Sequence, residues 1–255
     1  MNASHTAAIA SPIAPAPRLV DNSLDIAAVS THVAAIRRRF EAGQYIYRAG
    51  QPFRAVFYVQ AGFLRRSVAT ADGREQVTGF PMPGDLVGVE SIGSTQYTVD
   101  VVALDHCEVI ELPYPAVLNA CAAMPSLHSA LTHALAQELR RDQYWMLSLG
   151  TLSAEQRVAA FLVDMAARHR ALGFSASHFV LRMSRIDIAS FLALKHETVT
   201  RALSQLAASG VIVVDRREIR IACAARLADC ASGGAPVQSP RGVSLRSVAP
   251  VKRSA

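Results

Sequence analysis

The sequence predicts an α+β chain, with strands gathered in its first half and helices in its second. Three observations carry that reading. Between Tyr45 and Leu112, short runs rich in Val, Tyr, Phe and Ile (YIY, AVFYVQ, FLRRSVA, QVTGF, TVDVVAL, CEVIEL) are separated by Ala-Gly, Asp-Gly, Pro-Gly and Gly-Ser turn signals. From Ser126 to Leu149 apolar residues recur at helical spacing. From Met183 to Leu206 two short helix patterns follow one another, and a hairpin pattern comes after them.

Residues 1–22 are rich in Ala, Pro and Ser without periodicity and predict a disordered arm. Leu24, Ile26, Val29, Val33 and Ile36 then form an irregular apolar stripe. It predicts a helix over 22–40 whose Arg37, Arg38 and Arg39 suit the negative end of the dipole. The closely spaced strands predict a small antiparallel sandwich or barrel, which with that helix makes a first domain over 23–125. A short helical turn over 115–122 leads into a long helix over 126–150.

On the long helix Leu135, Leu139, Asp142, Met146 and Leu149 repeat at 4,3,4,3, the rhythm of a helix pair, although a core helix within one chain shows similar spacing. Asp142 is out of place there. A carboxylate in an apolar seam either faces its symmetry mate at a desolvation cost or finds a basic neighbour such as Arg140 or Arg141.

Gly150 punctuates that helix. Ser153 and Gln156 then form a capping-box spacing, and Val158, Phe161, Leu162 and Met165 supply a core face to a helix ending near Gly173. A brief strand falls at Phe179–Leu181. Ser184 and Asp187 repeat the capping spacing before Ile188, Ala189, Phe191 and Leu192, the chain turns over 193–195, and a second helix runs to about Ser209 with Gly210 as its stop. GVIVVDRREIRIA reads as a hairpin turning over 215–218, so 151–225 forms a winged helix. Residues 226–255 predict a disordered basic tail.

The chain has 255 residues, room for one large or two moderate domains. No apolar run approaches the roughly 18 to 20 residues of a membrane span, and the N-terminus lacks the pattern of a secretory signal, so no membrane association and a cytoplasmic location are expected. Cys107, Cys121, Cys223 and Cys230 are scattered, which argues against a disulfide framework. No nucleophile motif such as G-x-S-x-G occurs, and an enzyme is not expected. Net charge is +6, and from Arg182 to Arg226 eight Lys or Arg stand against four Asp or Glu. That local excess suits a phosphate backbone.

On the last helix Val199, Leu203 and Leu206 form one apolar face, while Glu197, Thr200 and Arg201 fall on the opposite side. A carboxylate can accept from cytosine N4, a guanidinium can bind guanine twice, and a threonine offers a hydroxyl and a methyl. The same residues also read as an ordinary amphipathic helix with an exposed Glu197–Arg201 pair.

The segment MSRIDIASFLALKHETVTRALSQL resembles the helix-turn-helix of the Crp/Fnr family of bacterial transcription regulators, in which E-x-x-S/T-R opens the recognition helix. The resemblance extends through GREQVTGFPMPGDLVGVESIGS and PSLHSALTHALAQELRRDQ, over residues 40 to 225, and is strongest to the Fnr-like branch. It implies a β-roll sensor similar to cyclic-nucleotide-binding domains, a double-stranded β-helix, followed by a dimerisation helix and a winged helix-turn-helix. It further implies a homodimer on double-stranded DNA at an inverted repeat resembling TTGAT-N4-ATCAA. Glu197, Thr200 and Arg201 would read bases, with Ser184, Arg185, Lys195 and His196 at phosphates or secondary contacts. Leu135, Leu139, Asp142, Met146 and Leu149 would line the dimer seam. Lys195 and His196 depart from the small or apolar residues common in the family, which leaves the outermost base of the half-site open.

The resemblance also bears on effectors. Members that bind cyclic nucleotides hold the phosphate with an Arg-Ser or Arg-Thr, whereas GSTQYTVDVV has no Arg near Tyr97 or Thr98. The oxygen-sensing branch holds an iron–sulfur cluster on three N-terminal cysteines and one near the end of the roll. Here no Cys precedes Cys107, and Ile110 aligns with the fourth ligand. No cofactor is therefore predicted. His106, Cys107, His128 and His133 leave haem or a thiol switch as alternatives, beside a cyclic-nucleotide response or a small-ligand module acting through a protein partner. Asp72, Gly73 and Arg74 resemble a loop that touches RNA polymerase in relatives, although Asp-Gly is first of all a common choice for a simple hairpin turn. The sequence leaves the sign of regulation open.

Overall fold

The computed structural model describes residues 26–69 and 73–232; the expected arm over 1–22, Asp72 and the tail beyond 232 lie outside them. A short helix α1 (Ile26–Ser30) precedes strands β1 (Ile36–Phe40), β2 (Tyr45–Tyr47), β3 (Ala55–Ala61), β4 (Leu64–Ala69), β5 (Glu75–Gly79), β6 (Leu86–Val87), β7 (Asp100–Ala103) and β8 (Cys107–Pro113). They pair antiparallel into two four-stranded sheets, β1-β8-β3-β6 and β2-β7-β4-β5. Side chains alternate across each sheet, so Phe57, Val59, Leu64, Val101, Ala103 and Val109 meet in one interior. Gly62 turns β3 into β4 at φ 85°, where a Cβ would lie 2.5 Å from the His106 carbonyl oxygen.

The helix expected over 22–40 is corrected. Only Ile26–Ser30 is helical among the described residues there, and Ile36–Phe40 forms an edge strand. The Ser30 and Thr31 hydroxyls donate to the carbonyls of Ile26 and Ala28, both at 2.7 Å, where the helix stops. Strand β8 offers an open edge to Ile36–Phe40, and in the resulting register Arg37 and Arg39 reach Glu108 while Arg38 reaches Glu111.

Helices α2 (Tyr114–Ala123) and α3 (Pro125–Thr151) come after the roll. Val117, Ala120, Leu127 and Leu131 cover the outer face of the β1-β8-β3-β6 sheet against Val56, Ile110 and Leu112. Gly150 lies inside α3, which ends one residue later at Thr151.

Helix α4 (Ala154–Ala171) starts on the expected cap, with Ser153 and Gln156 bonded reciprocally. Then come β9 (His178–Val180), α5 (Arg185–Phe191), α6 (His196–Ala208) and the hairpin β10 (Ile212–Asp215) and β11 (Glu218–Ile221), in sheet order β10-β11-β9. A last helix, α7 (Ala224–Ser232), replaces the expected disorder over 226–232. It forms because Leu227 is buried in the helical core and Arg226 donates at 2.9 Å to the carbonyl of Ser209 just past α6.

That helical core is not confined to the second half. Val77, Phe80 and Met82, from β5 and the loop after it, are buried in the same cluster as Trp145, Phe161, Phe191 and Leu206. Phe191 sits at the centre, with ring centroids 4.8 Å from Trp145, 5.3 Å from Phe80 and 6.0 Å from Phe161.

Candidate nucleic-acid interface

Helix α5 begins on the expected capping box. The Ser184 hydroxyl oxygen accepts from the Asp187 amide at 3.1 Å, and the Asp187 carboxylate accepts from the Ser184 amide at 2.8 Å. Ala193 turns the chain at φ 51°, left-handed backbone that favours glycine, and the Leu194 amide donates to the Ala189 carbonyl at 2.9 Å. Lys195 then opens α6.

Val199, Ala202, Leu203 and Leu206 bury one side of α6, while Lys195, His196, Glu197, Thr200 and Arg201 are all exposed. The alternative of a Glu197–Arg201 ion pair is not formed among the described residues. Glu197 instead lies 3.3 Å from His196 Nδ1, and the Thr200 hydroxyl donates to the His196 carbonyl at 3.0 Å. Arg201 and Lys195 extend into solvent without an ion pair among the described residues.

The wing adds two residues that sequence reasoning did not single out. Arg216, at φ 53°, and Arg217 form the tip of the β10–β11 hairpin. Arg185 Nη2 donates to the Arg216 carbonyl at 2.9 Å and Arg217 Nη1 to the Arg182 carbonyl at 3.1 Å, which fastens the tip beside the start of α5. Arg185 Nη1 is buried without a hydrogen-bond partner among the described residues, and burial, with Arg217 nearby, holds its pKa below the usual arginine range. The signal was a pair of arginines at a two-residue hairpin turn. Arg185 is thus partly engaged within the protein, and the Ser184 hydroxyl wholly within its cap.

Along α3, Leu135, Leu139 and Met146 are 37%, 60% and 72% exposed, and Leu147, outside the expected stripe, is 51% exposed. Leu149 is half-buried. Asp142 finds its basic neighbour on β4 rather than on its own helix: Arg66 Nη2 lies 3.5 Å from it, and the same guanidinium also pairs with Glu138. Burial, then Glu138, pushes the Asp142 carboxyl above the usual range. Around that contact Arg168 Nη2 reaches Asp85 at 2.6 Å and Arg141 reaches Asp85 at 3.8 Å, so roll, α3 and α4 are joined by charges.

The hairpin β4–β5 also grips α5. Arg65 pairs with Asp187 at 3.2 Å, the Val77 amide donates to Ser190 Oγ at 2.9 Å, and Gln76 Nε2 donates to the Ser190 carbonyl. At the hairpin tip Gly73 has φ 80° and Arg74 is exposed.

Residues 37–124 match the cyclic nucleotide-binding domain and residues 156–230 the Crp-like helix-turn-helix domain. The chain is 37% identical to the transcriptional activator protein anr of Pseudomonas aeruginosa over 196 residues, 77% of this chain and 80% of that protein. The chain belongs to the Crp/Fnr family. Its members are transcription regulators with a helix-turn-helix DNA-binding domain, not enzymes. The transcriptional regulatory protein btr of Bordetella pertussis is 35% identical over 72% of this chain and 76% of its own length. Among solved structures, FixK2 from Bradyrhizobium japonicum superposes with a TM-score of 0.70 at 32% identity, over 77% of this chain and 96% of that one. Among the described residues no helix is long and apolar enough to cross a membrane.

The Crp/Fnr roll takes a cyclic nucleotide in some members, and the residues here do not fit one. Tyr47 and Tyr97 are buried and stacked at 4.0 Å, with Phe57 5.6 Å from Tyr47. The Glu90 carboxylate accepts from the Tyr47 hydroxyl at 3.0 Å and the Gly88 amide at 3.1 Å, and the Tyr97 hydroxyl donates to the Ala55 carbonyl at 2.8 Å. Arg66, whose charge acts on Tyr47, is committed to Glu138, Asp142 and Thr78.

A cysteine-ligated cluster does not fit the described residues either. Ile110 is buried among apolar side chains, and the four cysteines lie apart on β8, α2, the segment after β11, and α7. Burial pushes the Cys107 thiol up to about 11, and it donates to the Phe63 carbonyl at 3.2 Å, the behaviour of a packed thiol rather than a thiolate. His106 turns outward to Glu41 at 2.6 Å, and His128 is exposed.

Proposed function

We propose that the protein acts as a homodimer on double-stranded DNA, at an inverted repeat resembling TTGAT-N4-ATCAA whose half-site centres lie roughly 34 Å apart, one helical turn. Helix α6 enters the major groove. Glu197, Thr200 and Arg201 meet base edges, Lys195 and His196 lie at the groove wall, and the Arg216–Arg217 wing tip meets phosphates beside Ser184 and Arg185. The observation that carries this reading is the exposed side of α6, where a carboxylate, a threonine and a guanidinium without an ion pair among the described residues share one face next to a basic wing.

The exposed Leu135, Leu139, Met146 and Leu147 on α3 support a helix-pair dimer, with Asp142 and Leu149 at its margin. The names of the relatives support activation, with RNA polymerase met at the hairpin of Asp72, Gly73 and Arg74, in the cytoplasm. The packed interior of the roll supports DNA binding without a cyclic nucleotide.

The test is binding of the purified, ligand-free protein to a TTGAT-N4-ATCAA duplex and to a scrambled duplex, in air and under anaerobic reduction, across a salt series. Preference for the repeat under both conditions is expected, with affinity falling steeply as salt rises. Equal binding to both duplexes would overturn the reading.

A further inference from the structure

Two costs meet at the tip of the wing. Asp215 pairs with Glu218, so the β10–β11 hairpin turns on two residues, and Arg216 is the first of them at φ 53°. Such turns give a left-handed first position to glycine, asparagine or aspartate, because a Cβ there crowds the following carbonyl oxygen. The second cost lies beneath it. Arg185 Nη2 donates to the Arg216 carbonyl at 2.9 Å, and in that pose Arg185 Nη1 is buried without a hydrogen-bond partner among the described residues. A buried donor without a partner is a loss that native structures seldom keep. Strain and an unsatisfied donor in one place point to function at the residue they hold.

Charge alone requires neither cost. Arg182, Arg217 and Arg220 are exposed on or beside the same small sheet, none of them on left-handed backbone, and each can meet a phosphate from there. What Arg216 alone has is the apex. Arg217 is turned back to the Arg182 carbonyl at 3.1 Å, whereas the exposed Arg216 guanidinium has no hydrogen bond or ion pair among the described residues. A side chain at an apex, on a clamped backbone, reaches where strands cannot. The minor groove is about 6 Å wide and 7.5 Å deep, room for one guanidinium and not for a β-ribbon. Where A·T pairs narrow it, its negative potential deepens and draws in an arginine, while a G·C pair sets the guanine N2 amine in the way.

Building on the assignment of α6 to the major groove with the wing beside it, we infer that Arg216 enters the minor groove adjoining the half-site and there selects A·T over G·C pairs. Arg216 is therefore a specificity-determining residue that reads groove shape, set among arginines that meet phosphates. The sequence preference of this protein extends to base pairs that α6 does not touch.

The experiment uses the full-length protein and duplexes that keep both half-sites and carry A·T, G·C or inosine·C pairs in the spacer or, separately, just outside the half-sites. Inosine lacks only the N2 amine of guanine, so the major groove face stays as it was. The readout is the ratio of dissociation constants between flanks, whatever the absolute affinity of each variant. For the unaltered protein one of the two places is expected to favour A·T over G·C by roughly fivefold or more, with inosine·C behaving like A·T. Arg216→Gly and Arg216→Asn, both suited to left-handed backbone, bring that ratio to one and melt no lower than the unaltered protein.

An equal loss by both variants on every duplex, with a salt slope lower by about one, would make Arg216 a phosphate contact and overturn the inference. A ratio kept in both variants would overturn it in favour of the bending of the DNA itself. A ratio of one for the unaltered protein at both places, with the repeat still preferred to a scrambled duplex, would overturn it while leaving α6 as the reading helix. No preference for the repeat at all would overturn both.

Discussion

At the junction of roll and helices, Arg66, Arg141 and Arg168 each meet a carboxylate of their own chain, whereas on α6 and the wing the cationic ends of Lys195, Arg201 and Arg216 have no carboxylate partner among the described residues. Both sets carry positive charge and their uses are opposite. A charge withdrawn from water is tolerated only when an opposite charge and hydrogen bonds replace the solvent, so the junction arginines are internal fasteners. A charge left in water keeps its donors available, and its field reaches roughly 8 to 10 Å at moderate salt, far enough to meet a phosphate before contact.

The contrast breaks most visibly at Arg168. Replacing it by Met removes the 2.6 Å partner of Asp85, a mostly buried carboxylate, and should cost about 3–5 kcal/mol in urea unfolding. The double change Arg168→Met with Asp85→Leu should recover much of that loss. The same removal on the open side should be silent for folding. Arg201→Ala is expected to shift unfolding by less than about 0.5 kcal/mol while weakening the specific complex by about 1–3 kcal/mol, with relaxed selection at a G·C pair. Equal weakening on random DNA would place Arg201 on the backbone instead.

Acid should separate the two regions further. Burial pushes the Asp85 carboxyl up, but Arg168 and Arg141, with the Met82 amide and Arg66, pull it down by more, so it lies below the ordinary 3.8 in the folded chain. A depressed carboxylate stabilises fully above its unfolded value, and that contribution fades as pH falls through the folded one. Stability should therefore decline below about pH 4, and Asp85→Asn should flatten that decline. A slope unchanged by the substitution would assign the acid limb to other groups. Asp142, pushed the other way, contributes with the opposite sign.

A small gain, rather than a loss, is expected at the turn between α5 and α6. Ala193 holds a left-handed backbone, φ 51°, that costs a residue with a Cβ about 1–2 kcal/mol and glycine little. Glycine also loses more chain entropy on folding, so Ala193→Gly should raise stability by only about 0.5–1 kcal/mol in thermal or urea melts. A loss would mean that the turn is held by contacts of the Ala193 methyl.

The buried and exposed sides of α6 were legible in the sequence because their signals are local. The cap residues Ser184 and Asp187 are three apart, and the buried Val199, Leu203 and Leu206 repeat within one helix. Strand β1 was not legible, since three consecutive arginines suit a helix end and only Glu108 and Glu111, some seventy residues later, make them a strand face. The partner of Asp142 was hidden for the same reason: Arg66 is 76 residues away in sequence. Helix α7 depends on a buried Leu227 in a stretch whose composition alone reads as disorder. At the site, the direction of the Thr200 hydroxyl and the fastening of Arg185 to the wing tip are facts of geometry that residue spacing does not encode.

The shared burial of Val77, Phe80 and Met82 with Phe161 and Phe191 makes the recognition unit a poor candidate for transplantation. Cut free after the roll, the helices would lose the aromatic edge of Phe80 from Phe191 and the β5 amide from Ser190, leaving an apolar hollow open to water. A chimera joining this winged helix to another regulator's roll would have to carry β5 and the loop after it across the seam. In this protein the natural boundary for exchange follows that packing rather than the linear order of its domains.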